Sequence, residues 1–186
     1  MKFLSILIIL GLSISSSNAF VFQSLDKLLL DSGIVDQNYK YIDKSAAYEA
    51  FRVATNEVAS SLPVKINAYI EVDTIFFTPY VGNYAYTIDM LWTKEELNML
   101  QRELTAPSSI KDLCDTMYDA KFQRANDFVL NIFYNDRDGK NISRIILDKD
   151  TCFSTRWTYI IKFGGVLKSM LAIEANKKSM LSSLIL

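Results

Sequence analysis

The 186-residue chain has no histidine and two cysteines, Cys114 and Cys152. Lacking histidine, it has neither the usual general base near neutral pH nor the usual metal ligand. Ser-His-Asp and Cys-His nucleophile systems and histidine-based zinc sites are excluded. The cysteines stand outside any CxxC motif. They can form one disulfide, act as a reactive thiol or supply half of a metal site, and the compartment decides among these. Paired carboxylates can hydrolyse glycosides without histidine. The candidates are Glu71, Asp73 and Asp89. Glu71 and Asp73 are two apart on one predicted strand and so share a face. The simpler reading is the alternating polar side of a solvated strand.

Phosphate and calcium motifs fail on spacing. Gly164-Gly165 stands alone, and Gly139-Lys140 lacks the glycine that a phosphate loop places before it. If Gly139 were the sixth residue of an EF-hand loop, Tyr134 and Ile145 would occupy the first and twelfth positions, where carboxylates are required. The run Asp136–Gly139 is therefore a turn. No metal and no cofactor is expected.

Aromatic residues supply the other candidate site. Tyr69, Phe76, Phe77, Tyr80, Tyr84, Tyr86 and Trp92 crowd one predicted hairpin. One helical layer cannot cover both faces of such a hairpin. Some of Tyr80, Tyr84 and Tyr86 are expected to be exposed, and they are the candidate binding face, since tyrosine buries area while keeping a polar tip. The simpler reading is core plus ordinary surface tyrosines.

These residues need elements to hold them. Ser45–Leu62 reads as a helix capped by Ser45, with Tyr48, Phe51, Val53, Ala54, Val58 and Leu62 on its buried stripe and Pro63 after it. Ile66–Thr78 and Tyr84–Trp92 read as a hairpin around Pro79 and Val81-Gly82-Asn83. Thr93 and Glu96 make a capping box for a helix with Leu97, Leu100 and Leu104 inward. Pro107 breaks it, and Ser108 or Ser109 caps a continuation that carries Cys114. Phe128–Tyr134 and Ile142–Leu147 form a second hairpin on the Asp138-Gly139 turn. The order predicts an α+β fold: an antiparallel sheet of about four strands, in two hairpins, with helices on one face. Residues 45–152 would form that domain. Residues 20–44 read as a weakly structured lead-in with a short helix around Leu25–Leu30 ending near Ser32-Gly33. Residues 153–186 read as a C-terminal helical extension that packs on the sheet, touches a membrane surface or meets a partner.

Met1–Ala19 has the layout of a secretory signal peptide: Lys2, an apolar run from Phe3 to Leu12, then Ser17-Asn18-Ala19. The run is about ten residues, half of what a membrane span needs. No cysteine lies at the cleavage site to accept a lipid. An exported location makes a Cys114–Cys152 disulfide the simplest use of the pair. The formal net charge of −1 gives no field for nucleic acid. Asn141-Ile142-Ser143 matches a glycosylation acceptor beside a turn.

Asn56, Leu62-Pro63, Ile66 and Val72-Asp73, followed by a hairpin, a helix with Cys114, a strand, the turn Asp136–Lys140 and a closing Cys152, complete a recognisable layout. It resembles a group of small exported bacterial proteins of unassigned activity. It is also similar to the disulfide-bearing α+β pilotins of type II secretion. The resemblance implies an exported α+β protein and supplies no catalytic residues.

The expected function is a periplasmic or secreted, disulfide-stapled domain without catalytic activity. Its partner would be another envelope or secreted protein. The alternatives are a secreted carboxylate-dependent hydrolase and a periplasmic inhibitor or immunity protein. Mass spectrometry of protein recovered outside the cytoplasm should give a chain beginning at Phe20 that gains a pair of hydrogens on reduction. A chain that keeps residues 1–19, or carries two free thiols, contradicts this reading.

Overall fold

The computed structural model describes residues 19–153. The leader up to residue 18 and the predicted extension from 154 onward lie outside the described residues. In chain order the elements are α1 (Ala19–Asp31), α2 (Lys44–Ala59), β1 (Val64–Lys65), β2 (Ile70–Phe77), β3 (Val81–Ile88) and α3 (Lys94–Leu104). Then follow α4 (Pro107–Met117), α5 (Lys121–Ala125), β4 (Val129–Asp136), β5 (Asn141–Leu147) and α6 (Lys149–Phe153).

The fold class is α+β, and the sheet differs from the expected one. It has five strands in the order β1-β2-β3-β4-β5. The two predicted hairpins are present as antiparallel pairs, β2 with β3 and β4 with β5. They join through β3 and β4, which run parallel from Val81↔Val129 to Ile88↔Asp136. A parallel pair needs a long crossover, usually helical. The stretch α3–α4–α5 provides it. Local turn signals report only each hairpin and carry nothing about how the two meet. The fifth strand, β1, covers two residues of β2, Val72 and Glu71.

The strand β2 changes phase midway. Ile70 and Val72 face the core, and then Ile75 and Phe77 do. The odd step is absorbed by a bulge between Val72 and Thr74, which leaves Asp73 without a register partner. Past β1, the edge of β2 meets α2: the Thr55 hydroxyl donates to the Phe77 carbonyl at 3.2 Å and accepts from the Phe77 N–H at 2.9 Å. On the opposite edge, Gln101 of α3 donates to the Ile142 carbonyl of β5 at 2.6 Å.

Helix signals hold with small corrections. The capping box closes as read: Thr93 Oγ1 accepts from the Glu96 N–H, and Glu96 Oε2 accepts from the Thr93 N–H. Leu100 and Leu104 are buried. The helix α2 starts one residue early because Asp43, not Ser45, caps it, accepting from the Ala46 N–H at 2.9 Å. The turn of chain toward the core then favours Ala47, Phe51 and Ala54, and leaves Tyr48 exposed. Pro107 opens α4 where no N–H donor is needed, so neither Ser108 nor Ser109 is its cap, and Ser109 is buried.

Residues 20–44 do not form a loose lead-in. Leu25, Leu29, Ile34 and Val35 belong to the core. The helix ends at Asp31, with Gly33 beyond it at φ +67°, where a side chain would be strained. Asn126 then ties the following turn, donating to the Tyr39 carbonyl at 2.7 Å and accepting from the Tyr41 N–H at 3.0 Å. Asp26 fastens α1 itself. Its carboxylate accepts from the Lys121 and Phe122 N–H groups at 2.7 and 2.9 Å, capping α5 from across the fold.

At the other end, Cys114 of α4 is bonded to Cys152 of α6, with Cα atoms 5.4 Å apart. The bond closes a loop of sequence separation 38. In the chain-entropy account, that is about 4 kcal/mol. Among the described residues α6 buries no side chain fully. Phe153 lies against the Tyr118 ring at 6.2 Å.

The core centres on Phe51, Phe122 and Phe128, whose rings meet edge to face at 5.4 and 5.6 Å. Phe128 meets the sheet at Gly82. A Cβ built there would lie 2.7 Å from Leu130 Cδ1 and 2.9 Å from the Phe128 ring, both fully buried. Gly82→Ala should destabilise the fold by about 1–3 kcal/mol through overpacking, read as a lower denaturation midpoint.

Burial raises the Asp26 carboxyl above its ordinary 3.8, with the two backbone donors opposing it in part. A raised value means that the fold holds this proton more tightly than the unfolded chain does. The contribution is therefore full below about pH 3.8 and is lost as pH rises through the folded-state value. The stability of wild type relative to Asp26→Asn should fall as pH rises across that window in denaturant titrations. A difference that is flat or rises with pH contradicts this assignment.

Candidate functional site

Strand alternation sorts the sheet into two faces. Inward point Gly82, Tyr84, Tyr86 and Ile88 of β3, and Leu130, Ile132 and Tyr134 of β4. They meet the helices. Outward point Asn83, Ala85 and Thr87, then Asn131, Phe133 and Asn135, then Arg144 and Ile146 of β5. On β2 the outward residues are Glu71, Thr74 and Phe76.

This corrects the expected aromatic binding face. Tyr84 is 1% exposed and Tyr86 4%. Both rings stack, Tyr84 on Tyr86 at 6.3 Å and Tyr86 on Tyr134 at 5.3 Å. Burial pushes all three phenols well above their ordinary 10, so they are neutral. The physical reason is period two: Tyr84 and Tyr86 share one side, and the crossover helices took that side. Tyr80 is half-buried at the turn, edge-on to Tyr41 at 5.6 Å and to Tyr48 at 6.4 Å.

Of the carboxylate candidates, Glu71 and Asp73 come together beside Thr87, half-buried, while Asp89 is exposed. Glu71 pairs in register with Thr87, and Asp73 accepts from the Thr87 hydroxyl at 2.6 Å. Asp89 forms an exposed ion pair with Arg137 at 2.8 Å. None of the three lines either described depression.

The outward face carries a different constellation. In one row Phe76, Asn83, Asn131 and Ile146 lie side by side; in the next come Thr74, Ala85, Phe133 and Arg144. Phe76 is 45% exposed and Ile146 42%. Between them Asn131, only 7% exposed, donates to the Asn83 side-chain oxygen at 3.0 Å. Its own oxygen accepts from the Arg144 guanidinium at 2.8 Å. That guanidinium lies over the Phe133 ring, 5.3 Å from its centroid. Two contacts thus fix an exposed arginine. Among the described residues no carboxylate forms an ion pair with it.

At the Phe76 corner the face runs into a shallow groove of about 590 Å³ between α2 and β2. Tyr48, Thr55, Asn56, Phe76, Phe77 and Thr78 line it. Arg52 sits at its rim, paired with Glu49 at 2.9 Å. Tyr48 joins Phe76 as an exposed aromatic there, where the helical pattern had assigned it to the core.

Arg144, Phe133 and Asn131 were not singled out in the sequence, and Tyr48 was read as core. One signal was available: Phe133 sits on the polar side of the alternation Leu130-Asn131-Ile132-Phe133-Tyr134. Its pairing with Arg144 needs the β4–β5 register.

No protein-family model and no curated protein matches the sequence. Among solved structures, the chain is similar to a candidate secreted protein from Pseudomonas aeruginosa, with a TM-score of 0.46 and 9% identity over 61% of this chain and 98% of that one. It is also similar to EpsS, a pilotin of the Vibrio vulnificus type 2 secretion system, with a TM-score of 0.40 and 12% identity over 59% and 94%. The type II secretion pilotin AspS from Vibrio cholerae gives 0.41 and 9% over 59% and 94%. Both groups that the sequence resembles are represented among these neighbours. A likeness this distant carries no functional inference. No helix among the described residues is long and apolar enough to cross a membrane.

Proposed function

We propose that the protein is an exported, disulfide-stapled domain that acts by binding another envelope or secreted protein through the outward face of its sheet. One observation carries this reading. Phe76 and Ile146 stand exposed on a face whose polar centre is already ordered, and no described helix packs on that centre. Exposed apolar side chains beside a fixed arginine have the make-up of an interface centre. The leader and the Cys114–Cys152 bond support export, because disulfides persist in oxidising compartments. The partner is a macromolecule rather than a small substrate, since neither described depression lies over Asn83, Ala85, Asn131 or Phe133 at the centre of this face. Membrane contact through the C-terminal extension remains a sequence expectation and lies outside the described residues.

A photo-crosslinking amino acid at Ala85, in the middle of the face, tests the proposal in the native envelope. The expected result is a discrete adduct with one protein. The same group at Glu103, exposed on α3, should give none. Absence of an adduct from Ala85, or the same adducts from both positions, overturns the reading.

A further inference from the structure

The fixed arginine says what the partner must bring. We propose that Arg144 is the anchor of the outward face and that it takes a side-chain carboxylate, Asp or Glu, flanked by apolar residues on the partner. The proposal rests on the protein-binding reading above and names the chemistry of that partner.

A surface arginine has several free torsions, and ordering them on binding weakens affinity. Here that ordering is already present. The Phe133 ring supports the guanidinium plane at 5.3 Å, and Asn131 Oδ1 takes one N–H at 2.8 Å. Asn131 is held in turn by Asn83 at 3.0 Å, so the acceptor cannot swing away. A guanidinium has five N–H donors in a planar fork, and Asn131 takes only one of them. That fork matches a carboxylate.

The surroundings fit the same partner. The acids Glu49 and Asp89 are each paired with an arginine of their own, Arg52 and Arg137. Asp73 is bonded to Thr87, on β2 and β3 away from Arg144. Glu71 also lies on the outward face, in the row of Thr87, so the strand acids of this face sit at its β2–β3 side and Arg144 is the charge at the β5 side, where Ile146 lies next to it on the same strand face. Phe76 closes the neighbouring row three strands away, or roughly 14 Å at ordinary strand spacing. A partner segment can set its carboxylate on Arg144 and apolar side chains on Ile146 and Phe76. An apolar environment around the pair keeps water from screening it.

Random peptides displayed with their C-termini fused, so that only side-chain carboxylates are offered, can be selected against the full-length oxidised chain. The expected consensus has Asp or Glu next to Leu, Ile or Phe. The best peptide should bind Arg144→Gln at least about tenfold more weakly. Changing its acid to the amide should cost a similar factor, and the two changes together should cost little more than either alone. Arg144→Lys should recover only part of the affinity, because it lacks the fork. An unchanged disulfide and tyrosine near-UV signal exclude misfolding as the cause.

Peptides that bind the face without an acid, or with equal affinity to Arg144→Gln, overturn this inference and leave the protein-binding reading standing. Failure to select any peptide that Ala85→Arg displaces overturns both. Residues 154–186 carry one side-chain acid, Glu174; if Glu174→Gln is needed before acidic peptides are selected, the carboxylate comes from this chain, and the proposed external partner is overturned.

Discussion

The parallel pairing of β3 with β4 is the constraint on which the rest depends. Parallel neighbours cannot be joined by a tight turn, so the chain between them must cross the sheet. Residues from α3 to α5 make that crossing on one face. Once they lie there, alternation decides every other side chain on both strands. Tyr84, Tyr86, Ile132 and Tyr134 become core, and Asn83, Ala85, Asn131 and Phe133 become surface. The same choice sets the register that brings Arg144 over Phe133.

Both ends of the described chain are fastened to this crossing. The N-terminal helix is held by Asp26 at the start of α5 and by Leu25 and Leu29 in the core. The last helix is held by Cys152 to Cys114 on α4. The two fastenings differ in kind. One is a buried carboxylate satisfied by backbone donors, and it responds to protons. The other is covalent and responds to thiols. An element as short as α6 buries too little to stay docked by packing alone. The helix α1 buries its leucines and needs Asp26 mainly for direction.

What could be read in advance was local. Thr93 and Glu96 announce a helix start because both halves of the box lie within one turn. Asp138-Gly139 announces a hairpin because a positive φ belongs to the turn itself, and Gly139 has φ +76°. Long-range choices could not be read this way. Nothing within β3 says which of its two faces the helices will cover, so binding stayed open beside packing for Tyr84 and Tyr86. The β2 bulge hides in the same manner: Ile70, Val72, Ile75 and Phe77 fit no single alternation, and only pairing with β3 shows why. Asp26 gave no signal, since its partners are 95 and 96 residues away. The Arg144 site combines both difficulties, as it needs a register between strands and the choice of face.

The side-chain caps on the sheet's two margins have a consequence for association. An unpaired strand margin is a template on which another chain can add, and an apolar face beside it makes such addition more harmful. Thr55 occupies both backbone groups of Phe77 on one side, and Gln101 occupies the Ile142 carbonyl on the other. The bulge at Asp73 further disturbs the first margin. Copies of this protein are thereby discouraged from polymerising strand to strand. The exposed face can stay apolar without seeding strand addition, and the proposed partner would approach it broadside.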